Sequence, residues 1–249
     1  MKHLRILGII PARFASTRFP GKPLAMIAGK TMIQRVYEQA SMCTSLEKVV
    51  VATDDQRIAD CVVSFGGHVI LTSADHQSGT DRAAEALLKA GEFFDAAINI
   101  QGDEPFIHPQ QIDLVSQTLQ QPGVQIATLV KKIVSTNELL QPNSPKVVVA
   151  SNGNALYFSR QAIPFLKDIP MDAWPDHFDY FKHIGIYGYS AEVLPKLTAL
   201  PVGKLEKAES LEQLRWLENG FSIRTRLTDM ETIAVDTPED LLRAEALLQ

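Results

Sequence analysis

The feature that most limits the fold of this chain is an alternation of two periodicities over its first 120 residues. Short apolar, β-branched runs recur at residues 5–10, 48–53, 68–72 and 96–100. Each is apolar at successive positions and too short for a helix, the pattern of a strand buried on both faces. Between and after them, residues 31–42, 55–64, 80–90 and 109–120 read as helices. In the first of these Thr31 caps, Gln34 stands at the capping-box position, and Ile33, Val36, Tyr37 and Ala40 form one apolar face. Asp54-Asp55 opens the second, Gly66-Gly67 stops it, and Thr80 caps the third. Strands alternating with helices require crossover connections. The expectation is therefore an α/β fold, a mostly parallel sheet flanked by helices on both faces.

The second half has a different rhythm. Strands are expected at 125–133, 146–150, 155–159, 183–189, 221–227 and 232–235, with Ser151-Asn152-Gly153-Asn154 as a hairpin turn. A helix is expected over 205–218. Thr237 caps a last helix, with Pro238 at its first position and Glu239-Asp240 in its first turn. Residues 164–181, broken by Pro164, Pro170 and Pro175, are irregular. This half reads as antiparallel additions and a lid or dimerisation subdomain on the same sheet. No linker separates two domains, so residues 1–249 form one domain.

Composition closes several routes. With 249 residues, 45% of them hydrophobic, the chain can bury a large core, and a net charge of −5 offers no basic surface for nucleic acid. Cys43 and Cys61 both fall in helical patterns and read as buried thiols. The lack of a disulfide framework and of a signal peptide points to the cytoplasm. No apolar run approaches the ~18 residues that span a bilayer.

The chemistry concentrates at strand ends. After the first strand comes Pro11-Ala12-Arg13-Phe14-Ala15-Ser16-Thr17-Arg18-Phe19-Pro20-Gly21-Lys22-Pro23-Leu24. Pro11, Pro20 and Pro23 prevent a strand or helix there, and Gly21 allows a turn. Arg13, Arg18 and Lys22 then stand on a loop at the mouth of the sheet, which suits a polyphosphate. It is not a Walker loop, because Pro23 follows Lys22, and no Gly-x-Gly-x-x-Gly follows the strand. The loop 75–79 follows strand three, Gln101-Gly102-Asp103-Glu104 follows strand four, and Asp236 follows the last short strand. Two carboxylates, Asp103 and Asp236, facing a cationic loop match what Mg²⁺ takes from protein when phosphates supply its remaining ligands. Asp236 also reads as a helix cap. His and Cys are too sparse for zinc, and His76 with Ser78 lacks a nucleophile elbow. Tyr157, Arg160, His183, Tyr187 and Tyr189 line strand-like stretches; Arg160, at a strand end, suits a bidentate anion.

These stretches resemble the sugar nucleotidyltransferases. The variant with Arg13, Arg18 and Lys22 is similar to the 3-deoxy-manno-octulosonate (Kdo) cytidylyltransferases. Ala74 to Thr80, Gln101-Gly102-Asp103-Glu104-Pro105, Ala155 to Arg160, His183 to Tyr189, Leu211 to Arg215 and Val235 to Asp240 agree in the family's order, while 164–181 matches poorly. The resemblance implies a Rossmann-like nucleotidyltransferase domain, with residues 1–125 the nucleotide half and 126–249 the sugar-binding and dimerisation half. It implies a homodimer and Mg²⁺-dependent coupling of CTP to Kdo for lipopolysaccharide synthesis, giving CMP-Kdo and pyrophosphate. By resemblance, Pro11, Ala12, Arg13, Arg18, Lys22, Gln77, Ser78 and Gly79 bind the nucleotide, and Arg13, Lys22 and Asp103 serve catalysis. Asp103 and Asp236 hold the metal. Gln101, Arg160, His183, Tyr187, Glu212 and Gln213 bind the sugar. Two alternatives are 8-amino-Kdo or another acid sugar as acceptor, and a non-catalytic nucleotide-sugar sensor.

Overall fold

The computed structural model describes residues 4–15, 19–231 and 233–246. β1 (Ile6–Ala12) leads through the basic loop to a hairpin of β2 (Met26–Ile27) and β3 (Lys30–Thr31), then to α1 (Met32–Ser41). There follow β4 (Lys48–Thr53), α2 (Gln56–Ser64), β5 (Val69–Leu71), α3 (Gly79–Lys89), β6 (Ala96–Asn99) and α4 (Pro109–Leu119). The second half runs β7 (Ile126–Lys132), α5 (Thr136–Leu139), β8 (Lys146–Val149), β9 (Ala155–Ser159), α6 (Trp174–His177) and β10 (Phe181–Ser190). It continues through α7 (Leu194–Thr198), α8 (Lys204–Glu209), α9 (Gln213–Glu218), β11 (Arg224–Leu227) and α10 (Pro238–Ala246).

Nine of the described strands form one sheet with the path β11-β7-β10-β6-β1-β4-β5, and β8 pairs with β10 and β9. β6, β1, β4 and β5 are parallel, as the strand–helix rhythm requires. β10 runs antiparallel to β6 and β7. From β1 the chain winds outward through β4 to β5, then returns to place β6 on the other side of β1. The order therefore reverses between β1 and β6, and in open α/β sheets ligands bind at such a switch point, beyond the strands' carboxyl ends.

Both faces of β1, β4 and β6 are covered, while β5 forms a half-exposed edge. Leu7, Ile9, Val50 and Ala52 pack with Ala83 and Ala86 of α3, Leu194 and Leu197 of α7, and Trp216 of α9. Ile6, Ile10, Val49 and Val51 pack with Ile33 and Val36 of α1, Ile58 and Val62 of α2, and Ile112 and Val115 of α4. Ile6, Leu7, Ile9 and Ile10 are fully buried. At ~1.5–3 kcal/mol per buried aliphatic side chain, this central strand accounts for a large part of the driving force for folding.

Four expectations need correction. Cys43 is buried but lies past the end of α1, and Cys61 in α2 is only half-buried. The cap of α3 is Ser78, not Thr80: the Ser78 hydroxyl accepts from the Asp81 amide at 3.1 Å, and Asp81 accepts from the Ser78 amide at 3.2 Å. Thr80 is thereby freed to point elsewhere. The helix expected over 205–218 is two helices, α8 and α9, broken at Ser210, whose φ is +52°. Residues 233–235, expected as strand, form no ladder; Val235 instead donates its amide to the Asp103 carbonyl at 2.8 Å. Residue 232 lies outside the described residues. The stretch expected to be irregular, 164–181, holds the short helix α6 and gives its last residue to β10; it closes around Trp174, whose indole donates to the Ile169 carbonyl at 2.9 Å.

Candidate active site

A cavity of about 390 Å³ opens at the β1/β6 switch point. Its first wall is the end of β1 and the loop beyond it: Pro11, Ala12, Arg13 and Lys22. Gly21, at φ +72°, donates its amide to the Phe14 carbonyl at 2.9 Å, turning the loop back so that Lys22 faces the sheet. Lys22 Nζ then lies 2.8 Å from Asp103 Oδ2 and 3.1 Å from Asp236 Oδ1. One ammonium thus bridges two carboxylates 133 residues apart in sequence. The bond from Val235 to Asp103 splices their two segments backbone to backbone.

The second wall follows β6. A Cβ on Gly102 would stand 2.6 Å from the Pro11 carbonyl oxygen. Only glycine allows the β6 loop to cross the end of β1 this closely, and Asp103 comes immediately after it. Gln101 donates its side-chain amide to the Gly185 carbonyl at 2.8 Å, tying the same loop to β10.

The third wall is the loop from β5 into α3, with His76, Gln77, Ser78, Gly79 and Thr80. Glu85 anchors it, accepting from the Ser73 amide at 2.8 Å and bonding His76 Nε2. Lys89, then the Ser73 amide, with His76 adding, hold the Glu85 carboxyl down at about 2. Thr80, released from capping, donates to Glu212 Oε2 at 2.7 Å. Glu212 and Tyr187 close the floor. Burial raises the Glu212 carboxyl above its ordinary value, with the Thr80 and Ser78 hydroxyls opposing. Burial also raises the phenols of Tyr187 and Tyr189 well above theirs, so both stay neutral donors.

The cavity therefore sets Arg13 and Lys22 beside a carboxylate pair, and gathers hydroxyls, one buried carboxyl and the Asp54-paired Arg82 along its remaining lining. That arrangement can hold both a polyphosphate and a polyol. The profile of the cytidylyltransferases matches residues 7–231. The chain belongs to the cytidylyltransferase family. It is 55% identical to a 3-deoxy-manno-octulosonate cytidylyltransferase of Bacteroides thetaiotaomicron, over 99% of both chains. It is 53% identical to the protein of that name from Phocaeicola vulgatus, over 99% of this chain and 98% of the relative. A solved structure of CMP:2-keto-3-deoxy-manno-octonic acid synthetase complexed with CTP superimposes with a TM-score of 0.91, at 43% identity and 98% coverage of each chain.

In this cytidylyltransferase the cavity gathers Pro11, Ala12, Arg13, Lys22, Gln77, Ser78, Gly79, Gln101, Asp103, Tyr187, Glu212 and Asp236 from the sequence-derived set. Arg18 lies outside the described residues. Arg160, His183 and Gln213 do not line the cavity. The Arg160 guanidinium donates to the carbonyls of Glu209, Pro142 and Ser210 at 2.7, 3.0 and 3.2 Å, which binds the end of β9 to the break between α8 and α9. His183 lies behind Tyr187, ring centroids 5.1 Å apart, with Nε2 2.9 Å from the Thr128 hydroxyl. Desolvation there takes the imidazole down to about 3, so it stays neutral. Gln213 is buried at the start of α9, directly after Glu212.

Asn99 and Arg82 line the cavity without having been singled out from sequence. Arg82 is buried, 2.9 Å from Asp54 and 2.6 Å from the Thr72 hydroxyl. Its position four residues before Ala86 on the apolar face of α3 was the available signal. For Asn99 the signal was a lone carboxamide inside an apolar strand.

Proposed function

We propose that this cytidylyltransferase couples CTP to Kdo, giving CMP-Kdo and pyrophosphate. The observation that carries the reading is the convergence of Arg13, Lys22, Asp103 and Asp236 on one cavity at the switch point. The high identity to relatives named for this reaction supports it. The names of these relatives favour Kdo over its analogues as the acceptor. All three groups that a nucleotide sensor could dispense with, Lys22, Asp103 and Asp236, face each other in bonding geometry.

The anomeric hydroxyl of the acid sugar attacks the α-phosphorus in line. The new P–O bond joins sugar to CMP, the α–β anhydride bond breaks, and the electron pair leaves with pyrophosphate. Little covalent work falls to the protein, so positioning and charge neutralisation account for most of the catalysis. Arg13 and Lys22 neutralise the triphosphate and its leaving group. Gln77, Ser78 and Gly79 lie against the nucleoside, where the α3 N-terminus offers free backbone amides. Glu212 and Tyr187, with Gln101, orient the sugar hydroxyls; Gln213 and His183 support that floor from behind. Arg160 fixes the segment carrying Glu212.

A divalent cation belongs to this proposal. Two carboxylates already gathered around one ammonium form a donor set that suits Mg²⁺ when phosphate oxygens complete it. Asp103 and Asp236 would hold it, and bound there it would supply charge neutralisation and Lewis acidity. We also propose a homodimer, supported by the exposed apolar side chains Val134, Leu156 and Phe165 of the second half.

The test is pyrophosphate release with CTP, Mg²⁺ and a panel of Kdo, 8-amino-Kdo and N-acetylneuraminate, with ATP, GTP and UTP as controls. Release confined to CTP and Kdo is the expected result. Release only with another acid sugar moves the specificity, and CTP binding without release from any sugar overturns the reading.

A further inference from the structure

Asn99 is the last residue of β6 and stands directly at the switch point. It is 5% exposed, lines the cavity, and its Oδ1 has no hydrogen-bond partner among the described residues. Tyr187 pairs with it across the antiparallel β6–β10 ladder, so both side chains leave the sheet on the same face. The Tyr187 hydroxyl is likewise buried with no hydrogen-bond partner among the described residues, as is that of Tyr189, which does not line the cavity. Leaving one such group unsatisfied costs ~1–3 kcal/mol, and two adjacent ones beneath a ligand cavity mark where a ligand completes the bonding.

The surroundings say what kind of ligand atom this is. Arg13 and Lys22 belong to the loop beyond β1, and the Arg82 guanidinium is taken up by Asp54 and the Thr72 hydroxyl. Around Asn99 are the Thr80 hydroxyl, the Tyr187 phenol and the Glu212 carboxyl, and its Nδ2 lies 3.8 Å from where a Cβ on Gly79 would be. A carboxylate beside neutral phenol and amide repels phosphate and accepts from hydroxyls. A carboxamide offers an acceptor on one side and donors on the other, and a half-turn about its last bond exchanges them. It can therefore bond a sugar hydroxyl in either sense.

We infer that the Asn99 carboxamide bonds a hydroxyl of the bound substrate, either the ribose or the acid sugar, and fixes it at the β1/β6 junction. This rests on the proposed function and adds to it a group that discriminates between hydroxylated and deoxygenated substrates.

The experiment compares the parent enzyme with Asn99→Leu, which keeps the shape and removes the bonding, and Asn99→Ser, which keeps a smaller polar group. The parent is first assayed with CTP and Kdo. Failure of the parent to turn over removes the proposed reaction and says nothing against Asn99 as a hydroxyl anchor, which is then tested by CTP binding against 2′-deoxy-CTP. With an active parent, Asn99→Leu is expected to lose about ten- to hundredfold in kcat/KM. If the bonded hydroxyl is on the ribose, the parent's preference for CTP over 2′-deoxy- or 3′-deoxy-CTP collapses in the variant. If it is on the acid sugar, KM for Kdo rises while KM for CTP holds. Should Asn99→Leu fail to fold, Asn99→Ser gives the same readouts. The inference is overturned if kcat/KM stays within twofold of the parent. It is equally overturned if activity falls with Tm while discrimination among these substrates is unchanged.

Discussion

At the residue scale the site is governed by how opposed charges are held. Lys22 is mostly buried between two carboxylates, at 2.8 and 3.1 Å. Replacing it by methionine leaves Asp103 and Asp236 facing each other across an apolar tip. Lys22→Met should abolish turnover and lower Tm, and millimolar Mg²⁺ without nucleotide should raise Tm of the variant more than that of the parent. An equal Mg²⁺ response in both proteins would argue against these carboxylates as the metal ligands. Glu212 makes a separate prediction. Burial raises its folded-state value above the ordinary 4.5, so the native state holds a proton that the unfolded chain releases. Stability from this group is therefore lost as pH rises from about 4.5 through the folded value. Glu212→Gln keeps an oxygen for Thr80 and removes that cost. Its Tm should exceed the parent's at neutral pH, and the gap should close as pH falls toward 4.5, whereas a pH-independent gap refutes the assignment.

At the element scale two junctions decide where the functional side chains point. The crossing of the β6 loop over the end of β1 depends on Gly102, since a Cβ there meets the Pro11 carbonyl oxygen at 2.6 Å. Backbone cannot yield as a flexible side chain would. Gly102→Ala should cost about 2 kcal/mol in urea unfolding and nearly all turnover, because Asp103 moves with the loop. A fully active Gly102→Ala enzyme would mean that the crossing is looser than these distances. The second junction is the break at Ser210, which lets α9 start anew with Glu212 facing the cavity. Arg160 holds this break through the Glu209 and Ser210 carbonyls and ties it to the Pro142 carbonyl. Arg160→Ala should lose about 2 kcal/mol of stability and raise KM for Kdo more than KM for CTP. A raised KM for Kdo with unchanged stability would instead identify a direct contact to the sugar carboxylate.

At the scale of the whole molecule the sheet is built in two styles. The parallel strands β6, β1 and β4 are closed on both faces, with β5 at the half-exposed edge, and the loops beyond them carry Arg13, Lys22 and Asp103. In the antiparallel part, β10 supplies Tyr187 to the cavity, and Leu156 of β9 with Val134 and Phe165 of the neighbouring segments are exposed apolar side chains. An exposed apolar surface of that kind favours association. Sedimentation velocity should give a dimer at micromolar concentration, and Leu156→Asp with Phe165→Asp should shift it toward monomer without altering the far-UV spectrum. A monomeric parent at all concentrations removes the dimer from the proposal.

The sequence by itself determined the parallel half of the fold, because buried strands and amphipathic helices write their periods into the chain locally. Lys48–Thr53 of the parallel half, and Ala155–Ser159 of the antiparallel one, are legible from their own composition. It also supplied most of the cavity wall, since polar groups just past apolar strands have few other reasons to be there. What it misjudged were contacts between distant segments. Thr80 is a perfectly good cap in isolation, yet Ser78 is two residues better placed to meet the Asp81 amide, and Thr80 turns to Glu212, 132 positions away. Residues 205–218 have a helical pattern throughout, and the break at Ser210, where Arg160 meets the Glu209 and Ser210 carbonyls, is visible only in the folded chain. Asn99 looks like an ordinary strand residue until β10 brings Tyr187 beside it. Periodicity reports the forces that act along a few turns of chain. Which polar groups meet across a sheet depends on the switch in strand order, and that exists only once the tertiary structure has formed.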